Sequence, residues 1–358
     1  MNATKILVAV LDWGLGHAAR TAVLIQALLD YGVVVDIAGH GNSLKWLQSR
    51  FSNLAAFEKP GVRIFYSSSD RQIRTLLLQT PGFIKAIKAE NNWLKEHVKE
   101  HAYDGILSDN CYGMYVSDLP TALLTHQTNL MLPTWLAPGA NAFLARNLHH
   151  FNQVWVPDID SENNLSGLLS WPAKGITTRF IGPISRFKHQ SEPTEYGVVA
   201  LISGPEPQRR QFETLLRSRL ADLPGNHIIF SGLPEGPNHE VQNVRTISHP
   251  SDEVLAEVLS KASHVICRSG YSSLMDLVAL GKTATLVPTP GQPEQEYLAK
   301  WFGAIYEWPV VRQRNLSAWE PDFTSKARVP LVKMNADAVE IVQKWADACS
   351  SRSKPTPS

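Results

Sequence analysis

The chain is poor in cysteine, in long apolar runs and in net charge, and each shortage removes a class of protein. Its three cysteines, Cys111, Cys267 and Cys349, lie far apart with no Cys-x-x-Cys pair. They build neither a disulfide framework nor a zinc site, which points to a reducing compartment. The first apolar run, Ile6-Leu7-Val8-Ala9-Val10, follows directly on Met1-Asn2-Ala3-Thr4-Lys5. It is too short for a membrane span and lacks the longer apolar region and cleavage site of a signal peptide. A cytoplasmic protein is expected. Lys and Arg total 34 against 33 Asp and Glu, a formal charge of +1, which speaks against a broad nucleic-acid surface. No paired-aspartate metal motif and no short internal repeat stand out.

What is present is ordinary globular material arranged in two similar halves. A hydrophobic share of 44% supplies ample core, and 358 residues exceed the usual size of one domain. In the first half, strands are expected at Ile6–Leu11, Val33–Ala38, Arg63–Tyr66, Gly105–Ser108, Thr121–Leu124 and Gln153–Val156. The helix Ala18–Leu29 carries Ala22, Ile25 and Leu29 on one stripe. A strand, helix and strand in that order make a right-handed crossover in a parallel sheet. Phe180–Ser185 closes this half, and the polar stretch Lys188–Glu195 reads as a linker.

The second half restarts with strand Gly197–Ile202 and helix Gln208–Leu220. Strands His227–Phe230 and Val244–Ile247, helix Asp252–Ala262, strand His264–Cys267, helix Ser272–Ala279, strand Ala284–Val287 and helix Glu294–Phe302 follow. The fold class is therefore α/β, with two Rossmann-like, doubly wound domains facing a cleft. Their expected bounds are 1–187 and 188–334, with a helix at 335–349 returning to the first domain and a disordered tail at 350–358.

Two strand-to-helix turns carry the chemistry, because ligands of open parallel sheets bind beyond the carboxyl ends of the strands. The first is Gly14-Leu15-Gly16-His17-Ala18-Ala19-Arg20. Gly14 and Gly16 permit positive φ and close approach, and the helix start beyond them favours an anion. His17 is suited to act as a general base near neutral pH; the alternative is a capping or core histidine. Arg20 is a candidate for binding a phosphate or substrate carboxylate, or for a surface ion pair. Asp109, at a strand end, either orients His17, binds acceptor, or forms a turn.

The second turn is Cys267-Arg268-Ser269-Gly270-Tyr271-Ser272-Ser273. Ser269, Gly270, Ser272 and Ser273 offer N–H groups and hydroxyls to a diphosphate, and Asp276 offers a carboxylate to ribose hydroxyls. The competing reading is a plain helix start with a capping serine. Downstream, Gln292, Gln295 and Glu296 sit around another helix N-terminus, where amide and carboxylate groups suit a sugar.

Arg268-Ser269-Gly270 through Asp276, followed by Gln295-Glu296-Tyr297, resembles the donor-binding domain of MurG-type (family 28) glycosyltransferases, which have the GT-B fold. The resemblance implies that Asp276, eight positions after Arg268, contacts ribose in place of the family's Glu. It further implies that Gln295 and Glu296 stand where the family has a glutamine pair near the donor sugar, and that Ser203-Gly204-Pro205-Glu206 replaces its Gly-Gly-Ser phosphate turn. Gly14-Leu15-Gly16-His17 resembles the family's acceptor loop, and His126, in Thr125-His126-Gln127-Thr128-Asn129, its His-Glu-Gln-Asn segment. Gly14–Arg20 is also similar to the UDP-sugar hydrolase of pseudaminic acid synthesis, where the histidine activates water.

The expected function is an inverting, metal-independent glycosyltransferase that uses a UDP-sugar as substrate and needs no cofactor. His17 and Asp109 are catalytic; Ser203, Gly204, Arg268, Ser269, Gly270, Ser272, Ser273 and Asp276 hold the nucleotide. Gln292, Gln295 and Glu296 hold the donor sugar, and Gly14, Gly16, Arg20 and His126 lie on the acceptor side. The alternatives are a UDP-sugar hydrolase or epimerase of the same fold, and a catalytically silent nucleotide-sugar-binding protein. The acceptor is not named by the sequence. The basic-rimmed helix Pro81–Glu100, with Ile84, Ile87, Leu94 and Val98 on one stripe, either packs on the sheet or touches a membrane bearing a lipid-linked acceptor. For Trp135, Trp155 and Trp171 core packing is the default, with sugar stacking as the alternative.

Overall fold

The computed structural model describes residues 3–61, 72–172, 175–204, 206–233, 236–322 and 326–352. The chain divides into two compact units, Met1–Ile64 with Leu78–Ile184 and Val332–Ser358, and Phe65–Leu77 with Ser185–Leu331.

The first unit contains β1 (Lys5–Val10), α1 (Leu15–Asp30), β2 (Val34–Gly39), α2 (Gly41–Arg50), β3 (Ala56–Glu58), and most of α3 (Gln72–Glu100). It continues through β4 (Gly105–Asp109), β5 (Thr121–Leu124), α4 (Ala137–Leu148), β6 (Gln153–Val156) and β7 (Thr178–Phe180). Every pairing is parallel, in the order β3-β2-β1-β4-β5-β6-β7. Alternate residues of β1 explain why the sheet is covered on both faces. Ile6, Val8 and Val10 enter one core with Ala22, Ile25 and Leu28 of α1, whereas Leu7 and Ala9 enter another with Leu94 of α3. The expected strand Arg63–Tyr66 lies outside the described residues, and the short edge strand β3 was not expected.

The second unit contains β8 (Tyr196–Leu201), α5 (Gln208–Ala221), β9 (His227–Phe230), β10 (His239–Val241), β11 (Val244–Ile247) and α6 (Asp252–Ser260). It ends with β12 (Ala262–Cys267), α7 (Tyr271–Leu280), β13 (Thr285–Leu286) and α8 (Pro293–Tyr306). The sheet order is β10-β11-β9-β8-β12-β13. One departure from a regular βα alternation is the β10–β11 hairpin, whose antiparallel edge strand pairs His239 with Thr246.

The chain then returns to the first unit as α9 (Ala336–Arg352). Ala338, Ile341, Val342, Trp345, Ala346 and Cys349 join the core that holds β1 and α1, and Trp345 meets Trp155 edge-on at 5.5 Å. The helix runs through Ser350–Arg352, so the tail expected from 350 does not begin there; residues 353–358 lie outside those described. Among the described residues no helix is long and apolar enough to cross a membrane.

Candidate active site

In the first unit the sheet order reverses between β1 and β4, and this switch point is where an open α/β sheet offers a crevice to ligands. Helix α1 starts at Leu15, three residues earlier than its apolar periodicity predicts, with Gly14 as its N-cap at φ +108. That backbone conformation is strained for any residue with a Cβ. Gly16 lies inside the helix rather than in the turn, so only Gly14 has the positive φ expected of both. The early start puts His17, Arg20 and Thr21 on consecutive turns of α1, facing Asp109 at the end of β4.

Asp109 is the hub. Its carboxylate accepts from Arg20 Nε at 2.7 Å, from Thr21 Oγ1 at 2.7 Å and from His17 Nδ1 at 2.9 Å. A further short bond comes from Arg20 Nη2. Burial alone would raise this carboxyl, but the Arg20 guanidinium and His17 outweigh it and hold it well below the usual carboxylate range. A carboxylate kept ionised only accepts hydrogen bonds, so the 2.9 Å contact assigns the proton to His17 Nδ1. In the neutral imidazole this leaves the lone pair on Nε2, the form a general base needs. Arg20 Nη2 also lies 3.1 Å from the same Nδ1, an approach imposed by their shared carboxylate oxygen.

Arg20, 3% exposed, is a buried strut in this network. Its second terminal nitrogen, Nη1, lies 3.2 Å from His126 Nδ1. Because guanidinium only donates, His126 accepts at Nδ1 and carries its proton on Nε2. The distant residue His126 thus belongs to the same network. Asn110, just beyond Asp109, takes the left-handed conformation at φ +56. Asp12, in the first turn, accepts the Ser43 N–H at 2.9 Å and caps α2.

In the second unit the order reverses between β8 and β12, which places the Ser203–Gly204 turn and the Ser269–Gly270 turn at neighbouring strand ends. Gly204 is exposed with φ +100 and open space where a side chain would stand. Glu206, two residues beyond Gly204, is bound by Arg209 Nε at 2.7 Å. Gly270 is the N-cap of α7, with the half-buried Ser272 and Ser273 in its first turn.

Two of the residues expected at the nucleotide, Arg268 and Ser269, have buried side chains. Arg268 is 0% exposed. Its guanidinium donates to the carbonyls of Val287, Pro288 and Gln208 at 3.1, 3.3 and 3.2 Å and to Gln313 Oε1 at 2.6 Å. It lies 4.0 Å from the centre of the Phe212 ring, and burial pulls its pKa down. The side chain fastens three loops together. Ser269 Oγ, also buried, donates to the Gln295 carbonyl at 2.7 Å.

Gln295 is itself buried, its Oε1 accepting the Thr289 N–H at 2.9 Å. Its Nε2 stands 4.0 Å from where a Cβ on Gly270 would be, so the starts of α7 and α8 are locked together. Glu296 is exposed and closes its own loop by accepting the Gly291 N–H at 2.9 Å. Gln292, the N-cap of α8, keeps a buried Oε1 with no partner among the described residues. Asp276 accepts from Ser185 Oγ at 2.6 Å and lies 3.7 Å from Arg186 Nε. Burial raises its pKa against the pull of Arg186 and Ser185. Neither Ser185 nor Arg186 was singled out from sequence, since both sit in a segment that reads as the end of a domain.

The aromatic expectations divide. Trp155 is core, whereas Trp135 and Trp171 are 72% and 63% exposed. On α3, Leu94 is buried and Val98 packs partly on the core, while Ile84 stays exposed. Trp13, beside Gly14, is 38% exposed and 5.8 Å from Phe83 of the same helix.

Comparison with curated protein sequences finds none that matches the chain. Solved structures do match in fold. MurG of Acinetobacter baumannii is 14% identical, with 96% of this chain and 100% of that one covered and a TM-score of 0.57. The spinosyn rhamnosyltransferase SpnG is 16% identical over 98% and 96%, at a TM-score of 0.60. The glycosyltransferase SnogD from Streptomyces nogalater is 14% identical over 98% and 96%, at 0.59. Residues 236–319 match the glycosyltransferase family 28 C-terminal domain. The protein therefore has the fold of MurG-like, GT-B glycosyltransferases and carries a family 28 glycosyltransferase domain in its second unit.

Proposed function

We propose that the protein transfers a sugar from a nucleoside diphosphate sugar, UDP-linked in the leading case, with inversion and with His17 as general base. The observation that carries this is the 2.9 Å His17–Asp109 bond at a sheet switch point. It leaves Nε2 unprotonated and pins the ring. His17 Nε2 takes the proton of the acceptor hydroxyl while that oxygen attacks the anomeric carbon. The bond from that carbon to the diphosphate oxygen breaks from the opposite side, and the diphosphate leaves with the electron pair. Charge growing on the diphosphate is met by the N-terminus of α7 at Gly270, with the Ser272 and Ser273 hydroxyls and the Ser203–Gly204 turn as further donors. A helix dipole then does what a divalent cation does elsewhere, so no metal is required. Asp276 accepts from ribose hydroxyls, and Gln292, with its spare buried carbonyl oxygen, and Glu296 are placed for the donor sugar.

On the acceptor side, Trp13 next to the base offers an apolar face to the incoming molecule. A lipid-linked acceptor at the cytoplasmic face of a membrane is accommodated by exposed Leu78 and Ile84 flanked by Lys85 and Lys88; flotation with anionic vesicles tests it.

Calorimetry of the full chain with UDP, GDP and dTDP tests the donor, dTDP being included because SpnG is known with thymidine diphosphate bound. Binding of one supports the proposal, and binding of none overturns it. With a panel of UDP-sugars, rapid release of free sugar without acceptor would replace transfer by hydrolysis, the same base then activating water.

A further inference from the structure

Beneath the Asp109 turn lies a buried ion pair that neither the fold nor the proposed chemistry accounts for. Lys59, immediately after β3, is bonded through Nζ to Glu90 Oε1 of α3 at 2.5 Å, with side-chain exposures of 0% and 6%. Removing both charges from water is costly, and such a pair adds little stability over an apolar one. Its contacts lead to the catalytic turn. Glu90 Oε2 accepts the Gly113 N–H at 3.1 Å. The next residue, Asn91, donates through Nδ2 to the Gly113 carbonyl at 3.0 Å and the Tyr115 carbonyl at 2.7 Å. Cys111, between Asp109 and Gly113, donates its thiol to the Asp109 carbonyl at 3.4 Å. The fit at Gly113 is tight: a Cβ there would stand 2.4 Å from the Ile87 carbonyl oxygen and 2.5 Å from Glu90 Cβ.

The turn needs such support, because Asn110 is held at φ +56, and strained backbone of this kind persists only where its surroundings over-determine it. We infer that Lys59 and Glu90 are positioning residues, which lock the 109–113 turn onto α3 so that the Asp109 carboxylate meets His17 Nδ1. Lys59 holds the Glu90 carboxylate in place, and Glu90 holds the Gly113 N–H. This rests on His17 being the base, but its geometric content is measurable without turnover.

The test is the tautomer of His17 in the 15N-labelled full chain, read from long-range 1H–15N spectra with His17→Gln as the assignment blank. Wild type is expected to carry the proton on Nδ1. In Glu90→Gln and Gly113→Ala the ratio of the Nδ1–H to the Nε2–H form should fall on the order of tenfold, the worth of one charge-assisted hydrogen bond. Lys59→Met/Glu90→Leu replaces the pair by apolar side chains and is expected to fold with a thermal midpoint near wild type, keeping the test available if a single variant unfolds. Its ratio should fall as well. A folded double variant with the wild-type ratio overturns the positioning role and leaves the base assignment standing. A wild type already protonated on Nε2 overturns the base assignment itself, and this role with it.

Discussion

Replacing Arg20 by Met isolates the electrostatics of the Asp109 hub. The substitution removes the Nε and Nη donors from a buried carboxylate and leaves Thr21 and His17 as its partners. Breaking a buried pair from one side costs about 3–5 kcal/mol. At about 2–4 °C per kcal/mol for a unit of this size, the thermal midpoint should fall by roughly 6–20 °C at pH 7. The pH dependence separates this from lost packing. In the wild type the native carboxyl sits well below its ordinary range. Its contribution is therefore full above the unfolded value and is lost only as the pH falls through the depressed native one. Without Arg20, the burial that now opposes ionisation dominates, and the native carboxyl rises above its unfolded value. A raised acid is protonated more in the folded state, so the variant loses stability as the pH climbs and recovers it on acidification. Thermal melts of both proteins from pH 4 to pH 8 should show the gap widest at pH 8 and narrowing steadily toward pH 4. A gap independent of pH would refute the electrostatic account and leave a simple packing loss.

Further outcomes follow from particular contacts. Arg268→Met should destabilise the second unit by about 2–4 kcal/mol in urea unfolding, because two buried and two partly buried acceptors lose their donor. If Asp276 meets ribose, the wild type should bind UDP about tenfold to a hundredfold more tightly than its 2′-deoxy analogue, and Asp276→Ala should abolish that preference in calorimetry. Gly41→Ala should cost roughly 1–3 kcal/mol by thermal melt, since Gly41 has φ +58 and a Cβ would stand 2.0 Å from Asp12 Oδ2.

Thr121–Leu124 and His227–Phe230 were legible as short runs buried on both faces, while Gln153–Val156 and Val244–Ile247, with half-buried Gln153 and exposed Arg245, were legible from their apolar and β-branched residues. The antiparallel β10 was not legible, since His239-Glu240-Val241 is exposed and carries no apolar pattern. At the site, His17 and Asp109 were visible as chemistry-bearing residues at strand ends, and the structure joins them. For Arg20 and Arg268 a sequence shows a cation and not what surrounds it: each is buried among acceptors from distant parts of the chain. Lys59 and Glu90 gave no signal. A lysine after a short edge strand and a glutamate on an amphipathic helix both read as solvated surface, and only the fold brings them together.

In the proposed reaction His17 drives glycosyl chemistry on a donor held elsewhere in the chain. The most direct test of this compares wild type and His17→Ala for release of UDP from a panel of UDP-sugars, alongside UDP binding by calorimetry. Loss of a positioned general base predicts a rate lower by about 10²–10⁴-fold with the affinity for UDP unchanged. Equal rates of UDP release from the two proteins would contradict it.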